Sequence, residues 1–134
     1  MKEEPHDPRQ RFYLGREYFF QGQWDNARRT LVDFLAMPEA TWDAERAEAY
    51  RIIAQMDDDP ERWLLKAVAE APGRRDAVVD LLDLYEQQGR RAESVGMAAR
   101  ALRVTQRPGD YMSRAHIWDD DRLRGILDRG LVFD

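Results

Sequence analysis

The chain has 134 residues, 21 basic and 26 acidic side chains for a net charge of −5, 43% apolar residues and no cysteine. That is enough for one domain, or one array of repeats, to bury a core without staples, and the missing thiols exclude disulfides and thiolate metal centres. An acidic chain lacks the basic surplus that phosphate binding needs, no run approaches the roughly 18 apolar residues of a membrane span, and Met1-Lys2-Glu3-Glu4-Pro5 has no apolar run to act as a signal peptide, so a cytoplasmic protein with no nucleic-acid or membrane partner is expected.

Residues 1–8 carry two prolines and mixed charge and read as a flexible lead-in to a single domain over 9–134. From Arg9 onward apolar residues recur at helical spacing with no strictly alternating segment, so the fold class is all-α. Over about 9–38, Leu14, Gly15, Tyr18, Trp24, Ala27, Leu31 and Phe34 predict two amphipathic helices broken at Gln21-Gly22-Gln23. Over about 42–72, Ala49 to Ala54 and then Trp63, Ala67 and Ala71-Pro72 predict a second, degenerate hairpin. Asp59 is its expected N-cap and Pro60 its first helical residue. Over about 75–107 the first figure returns as Leu81, Leu82, Tyr85, Gly89, Ala98 and Ala101. Leu14 to Leu81, Tyr18 to Tyr85 and Gly22 to Gly89 are each 67 residues apart.

Taking Ile53 as the equivalent of Leu14 and Leu81 gives steps of 39 and 28. The extra residues then fall around Pro38–Trp42, and the turn at Asp57–Pro60 is cut short. A final helix within about 111–130, roughly Asp119 to Arg129, is expected to cap the open end.

The aromatic, Leu14-Gly15, Tyr18, turn glycine Gly22, Ala27 and closing Pro38 resemble the tetratricopeptide (TPR) repeat. The resemblance implies an α-solenoid of three helical hairpins plus a C-terminal cap. The third hairpin has Leu82 and Ser94 where small residues are usual, which implies looser packing there. A narrower resemblance lies in Arg11 to Gly22, Thr41-Trp42, Glu45 to Ala54 and Lys66 to Pro72. These look like the TPR-like region that follows the catalytic domain of bacterial and phage family 2 glycosyltransferases. Those enzymes carry a nucleotide-sugar domain that these 134 residues do not include. The resemblance therefore implies the interaction half alone.

Candidate chemistry is sparse. Asp57-Asp58-Asp59 and Asp119-Asp120-Asp121 contain the Asp-x-Asp pattern of metal-diphosphate binding, but each precedes a helix, where carboxylates cap free N–H groups. His6 and His116 have no ligand-spaced companion, and serine occurs only at Ser94 and Ser113. No catalytic residue, metal or cofactor is expected. The pairs Arg28-Arg29, Arg74-Arg75 and Arg90-Arg91 read as solvated helix termini.

What remains is a groove lined by the first helix of each hairpin. Its residues are Phe12, Arg16, Phe19 and Phe20, then Glu48, Arg51 and Gln55, then Asp76, Val79, Asp83 and Glu86. The expected function is a non-catalytic interaction domain associated with a family 2 glycosyltransferase, mediating self-association or positioning of acceptor. Its partner would be a protein or peptide, either a second copy in a homodimer or an attached glycosyltransferase domain. The alternative is a stand-alone TPR adaptor for a peptide of an unrelated partner.

Overall fold

A computed structural model describes residues 7–104 and 120–131, and among them every regular element is a helix. The helices are α1 (Pro8–Phe20), α2 (Trp24–Ala36), α3 (Asp43–Ala54), α4 (Pro60–Glu70), α5 (Asp76–Gln87), α6 (Arg91–Arg103) and α7 (Asp120–Leu131). They group into two compact units divided between Glu70 and Ala71. The Tyr111 to Trp118 part of the expected cap, and both histidines, lie outside the described residues.

In the first unit α1 pairs with α2, α3 pairs with α4, and α3 also packs on α1 and α2. Asp7 caps α1 by accepting from the Arg9 N–H at 2.9 Å, with Pro8 at the first helical position. Phe12 and Gly15 of α1 and Ala27, Leu31 and Phe34 of α2 are buried, with the Phe12 and Phe34 rings 5.4 Å apart. Helix α3 buries eight of its twelve residues, charged ones among them. Burial of a charge is tolerable only when it is paired, and here it is: Arg9 holds Glu45 (3.0 Å) and Arg51 donates to Glu48 (2.7 Å). Arg46 ties the end of the second helix pair to the end of the first, donating to the carbonyls of Leu35 and Ala40 and pairing with Glu70 at 3.0 Å.

In the second unit α5 pairs with α6, and α7 lies on α6 with Leu123 and Ile126 buried. Two arginines pin α7. Arg75 Nε donates to the Val104 carbonyl at 2.9 Å and its Nη1 to Asp120 at 2.7 Å, while Arg122 donates to Asp83 at 2.6 Å. Arg75 and Arg28 therefore do not behave as solvated helix ends. Arg75 is buried, and Arg28 donates to Asp57 (3.1 Å) and the Met56 carbonyl (2.6 Å) to hold the α3–α4 turn.

The 67-residue offset extends to the backbone. At Gly22 (φ 76°) the Gln23 N–H returns to the Tyr18 carbonyl at 2.9 Å and the Gly22 N–H to Phe19 at 3.0 Å. At Gly89 (φ 70°) Arg90 returns to Tyr85 at 2.9 Å and Gly89 to Glu86 at 3.2 Å. Both are the left-handed helix closure that needs glycine. The bonds Gln21 to Glu17, Ala27 to Gln23 and Met37 to Phe34 likewise recur as Gln88 to Leu84, Ser94 to Arg90 and Val104 to Ala101.

The middle hairpin corrects the expected register. Helices α1, α3 and α5 end at Phe20, Ala54 and Gln87, steps of 34 and 33 residues, so Ala49 rather than Ala54 corresponds to Gly15 and Leu82. Its turn, Gln55 to Asp59, is longer than the glycine turns, not shorter. Without a glycine it closes differently, through Gln55 to Ile52 and Met56 to Ile53. Leu82 and Ser94, which stand where small residues are usual, are both buried, and the Ser94 hydroxyl donates to the Arg90 carbonyl at 3.0 Å.

Candidate interaction site

The eleven groove residues fall into two groups, seven in the first unit and four in the second. Phe12 is wholly buried between α1 and α2, and Val79 is wholly buried on α5, so neither is presented to a partner. Arg51 and Glu48 are buried and paired with one another, and Asp76 is buried beside Arg74 at 3.3 Å, so none of the three is free to meet a partner. The departures at Phe12 and Arg51 have one cause. The helical wheel around Leu14 and Leu81 identifies a face, but a helix packed on two neighbours buries more than the arc that one hairpin requires. Asp83 accepts from Arg122 and so helps seat α7. Glu86 is exposed and lines a depression of about 50 Å3 with Arg91, Ser94, Val95, Ile126 and Arg129.

The remaining four, Arg16, Phe19, Phe20 and Gln55, belong to one end of the first unit. Phe19 is half-buried, its ring 5.9 Å from Phe20 and 5.3 Å from Trp24. Phe20 is 63% exposed, and the Arg16 guanidinium lies 5.3 Å from its ring centre, within cation–π range. Gln55 follows α3 and, with Phe19, Trp24 and Met56, lines a cleft of about 480 Å3. Met56 is held there because Arg28 grips its carbonyl and the neighbouring Asp57 carboxylate. Asp57 also accepts from the Asp59 N–H at 2.9 Å. That bond outweighs the opposing desolvation and, with a further contribution from Arg28, holds the carboxyl below the usual carboxylate range.

Trp24 was expected in the core with Ala27 and Leu31, and the structure corrects this. The residue is 54% exposed. Counting back from Ala27 places it on the core stripe, but α1 has already ended at Phe20, so only Phe19 is there to meet it. A tryptophan next to a turn glycine, beyond the partner helix's last turn, is the signal that would have flagged it.

No family model, curated protein or solved structure matches this chain.

Asp119 lies outside the described residues, and other members of the aspartate triplets have structural occupations. The Asp59 side chain accepts from the Arg62 N–H at 3.4 Å at the start of α4, as expected of an N-cap, and Asp120 holds Arg75. Among the described residues, no group of three His, Asp or Glu side chains converges as a metal site would. No described helix is long and apolar enough to cross a membrane.

Proposed function

We propose that the chain is a non-catalytic helical-repeat interaction domain, with TPR-like hairpins arranged as a solenoid, that serves a family 2 glycosyltransferase and self-associates through the end of its first hairpin. The observation that carries the interaction reading is the exposed aromatic group of Phe20, Trp24 and Phe19 beside Met56. Large apolar side chains grouped at one place, rather than scattered, mark contact surfaces. The repeat reading is supported by the backbone bonds shared at an offset of 67 and by helix ends 34 and 33 residues apart. The glycosyltransferase association rests on the resemblance of Arg11 to Gly22 and Glu45 to Ala54 to that region of those enzymes.

Sedimentation velocity over a hundredfold concentration range tests the interaction reading. The wild type is expected to shift toward dimer and Phe20→Glu to remain monomeric. A wild type that stays monomeric throughout, or a Phe20→Glu variant that dimerises equally, overturns it. The chain on its own is expected not to turn over UDP- or GDP-sugars with manganese. Hydrolysis above a blank that is lost on changing Asp57 or Asp119 would overturn the non-catalytic assignment.

A further inference from the structure

The first hairpin turn carries more than its backbone needs, and the chain contains its own control. The Gly89 turn has the same closure with Gln88, Arg90, Arg91 and Glu93 at the positions of Gln21, Gln23, Trp24 and Asn26. There Arg90 donates to Gln88 at 3.0 Å and to Glu93 at 3.1 Å, an ordinary charged surface. At the Gly22 turn a directed run of hydrogen bonds takes its place. Arg29 donates to Asn26 Oδ1 (2.6 Å), Asn26 to Gln23 Oε1 (2.9 Å), Gln23 to Gln21 Oε1 (2.7 Å) and Gln21 to Glu17 Oε1 (3.2 Å). Beside it stands the exposed indole of Trp24. Gly22 leaves its flank open, since even a Cβ there would come no nearer than 3.9 Å to Cζ2. Gly22, Gln23, Trp24, Asp25 and Asn26 together line a depression of about 410 Å3.

Each amide in such a run is fixed in orientation and polarised by the next, and each keeps a second N–H and a second carbonyl lone pair. The result is a rim of neutral donors and acceptors within bonding reach of a flat apolar ring. A pyranose needs this combination, because its axial C–H face stacks on an aromatic ring while its equatorial hydroxyls both donate and accept. An extended peptide is instead gripped by side chains spaced along a helix, whereas these groups are confined to a single turn of residues 21–26. The Asp25 carboxylate, which also lines the depression, opposes a phosphate or carboxylate there. We infer that the Gly22 turn, with Trp24 as platform and Gln23 and Asn26 as the polar rim, is a binding site for a neutral sugar ring. Of its lining residues, Gly22 to Asn26, only Trp24 is shared with the cleft of Phe19, Gln55 and Met56.

The test is a side-chain NMR titration of the full chain carrying Phe20→Glu, which removes self-association, with N,N′,N″-triacetylchitotriose, cellotriose and maltotriose, and with tetra-alanine as the peptide probe. At least one saccharide is expected to shift the Trp24 indole N–H and the Gln23 and Asn26 amide signals saturably in the millimolar range. Trp24→Ala should abolish the shift. Asn26→Leu should weaken it about tenfold, the loss expected for one or two hydrogen bonds, and Trp63→Phe should leave it unchanged. Helical circular dichroism equal to that of the parent confirms that the variants fold. No saturable shift with any saccharide, shifts that survive Trp24→Ala, or shifts produced only by tetra-alanine would each overturn the assignment.

Discussion

Leu31 occupies the space that any side chain at position 15 would need: a Cβ built on Gly15 would stand 2.7 Å from both Cγ and Cδ2 of Leu31. The hairpin of α5 and α6 meets the same demand in reverse, since the residues 67 positions on are Leu82 and Ala98, both fully buried. Small against large in one hairpin has become large against small in the other.

A swap experiment follows from this relationship. Gly15→Leu alone is expected to destabilise the chain by about 1–3 kcal/mol through overpacking. Gly15→Leu with Leu31→Ala, which copies the Leu82 and Ala98 pair, is expected to recover most of the loss. Urea midpoints of the three proteins check this; a double variant no more stable than Gly15→Leu would show that the two hairpins are not equivalent.

Arg75 closes the second unit by holding the Val104 carbonyl and Asp120 at once. Arg75→Met leaves that carbonyl without its donor and is expected to cost about 1–3 kcal/mol, the range for stranding a buried polar group. The loss should appear as faster amide hydrogen exchange in Asp120 to Arg129. Arg124→Ala, on a largely exposed side chain, is expected to change stability by less than about 0.5 kcal/mol.

Much of this was legible from residue spacing: the helical class, the hairpins, both glycine turns, and the Asp59 cap before Pro60. The middle register was not. Helix α3 is packed on several sides and buries Glu45, Glu48 and Arg51, so its charged residues hide the face that apolar periodicity would otherwise reveal. Ile52 and Ile53 then looked like the recurring figure of the flanking hairpins, five residues out of place. At the candidate interaction site, Phe19 and Phe20 were legible as groove residues of the first helix. The amide run was not, because glutamine and asparagine carry no periodic signal and acquire meaning only when the turn draws them together.

Acid should weaken the α3–α4 turn. The Asp57 carboxyl is held below its usual range by the Asp59 N–H and by Arg28, so its folded-state pKa lies below the unfolded one. Its contribution is then fully present above the unfolded value of about 3.9 and is lost as pH falls through the folded one. Asp57→Asn is expected to be less stable than wild type at neutral pH, with the difference closing near pH 2. Denaturant midpoints at both pH values are the check, and a constant gap would contradict the assignment.

Glycine substitutions should separate the turns from the helices. Gly96 lies within α6 with open space where a Cβ would go, so Gly96→Ala is expected to stabilise by about 0.5–1 kcal/mol. Gly22→Ala and Gly89→Ala place a side chain in the left-handed region and are each expected to destabilise by about 1–2 kcal/mol. Thermal melts of the three variants read the signs directly.

The absence of native cysteine allows one introduced thiol to carry a spin label without competition, and this gives the most direct test of the interaction site. Chains spin-labelled at Glu17→Cys are mixed with unlabelled-spin, nitrogen-15 chains, so that any line broadening in the second set arises between molecules. Broadening is expected to concentrate on Phe19, Phe20, Trp24 and Met56 and to vanish when the observed chain carries Phe20→Glu. Broadening no greater than that caused by free label, or broadening strongest on α6, would contradict self-association through the first hairpin.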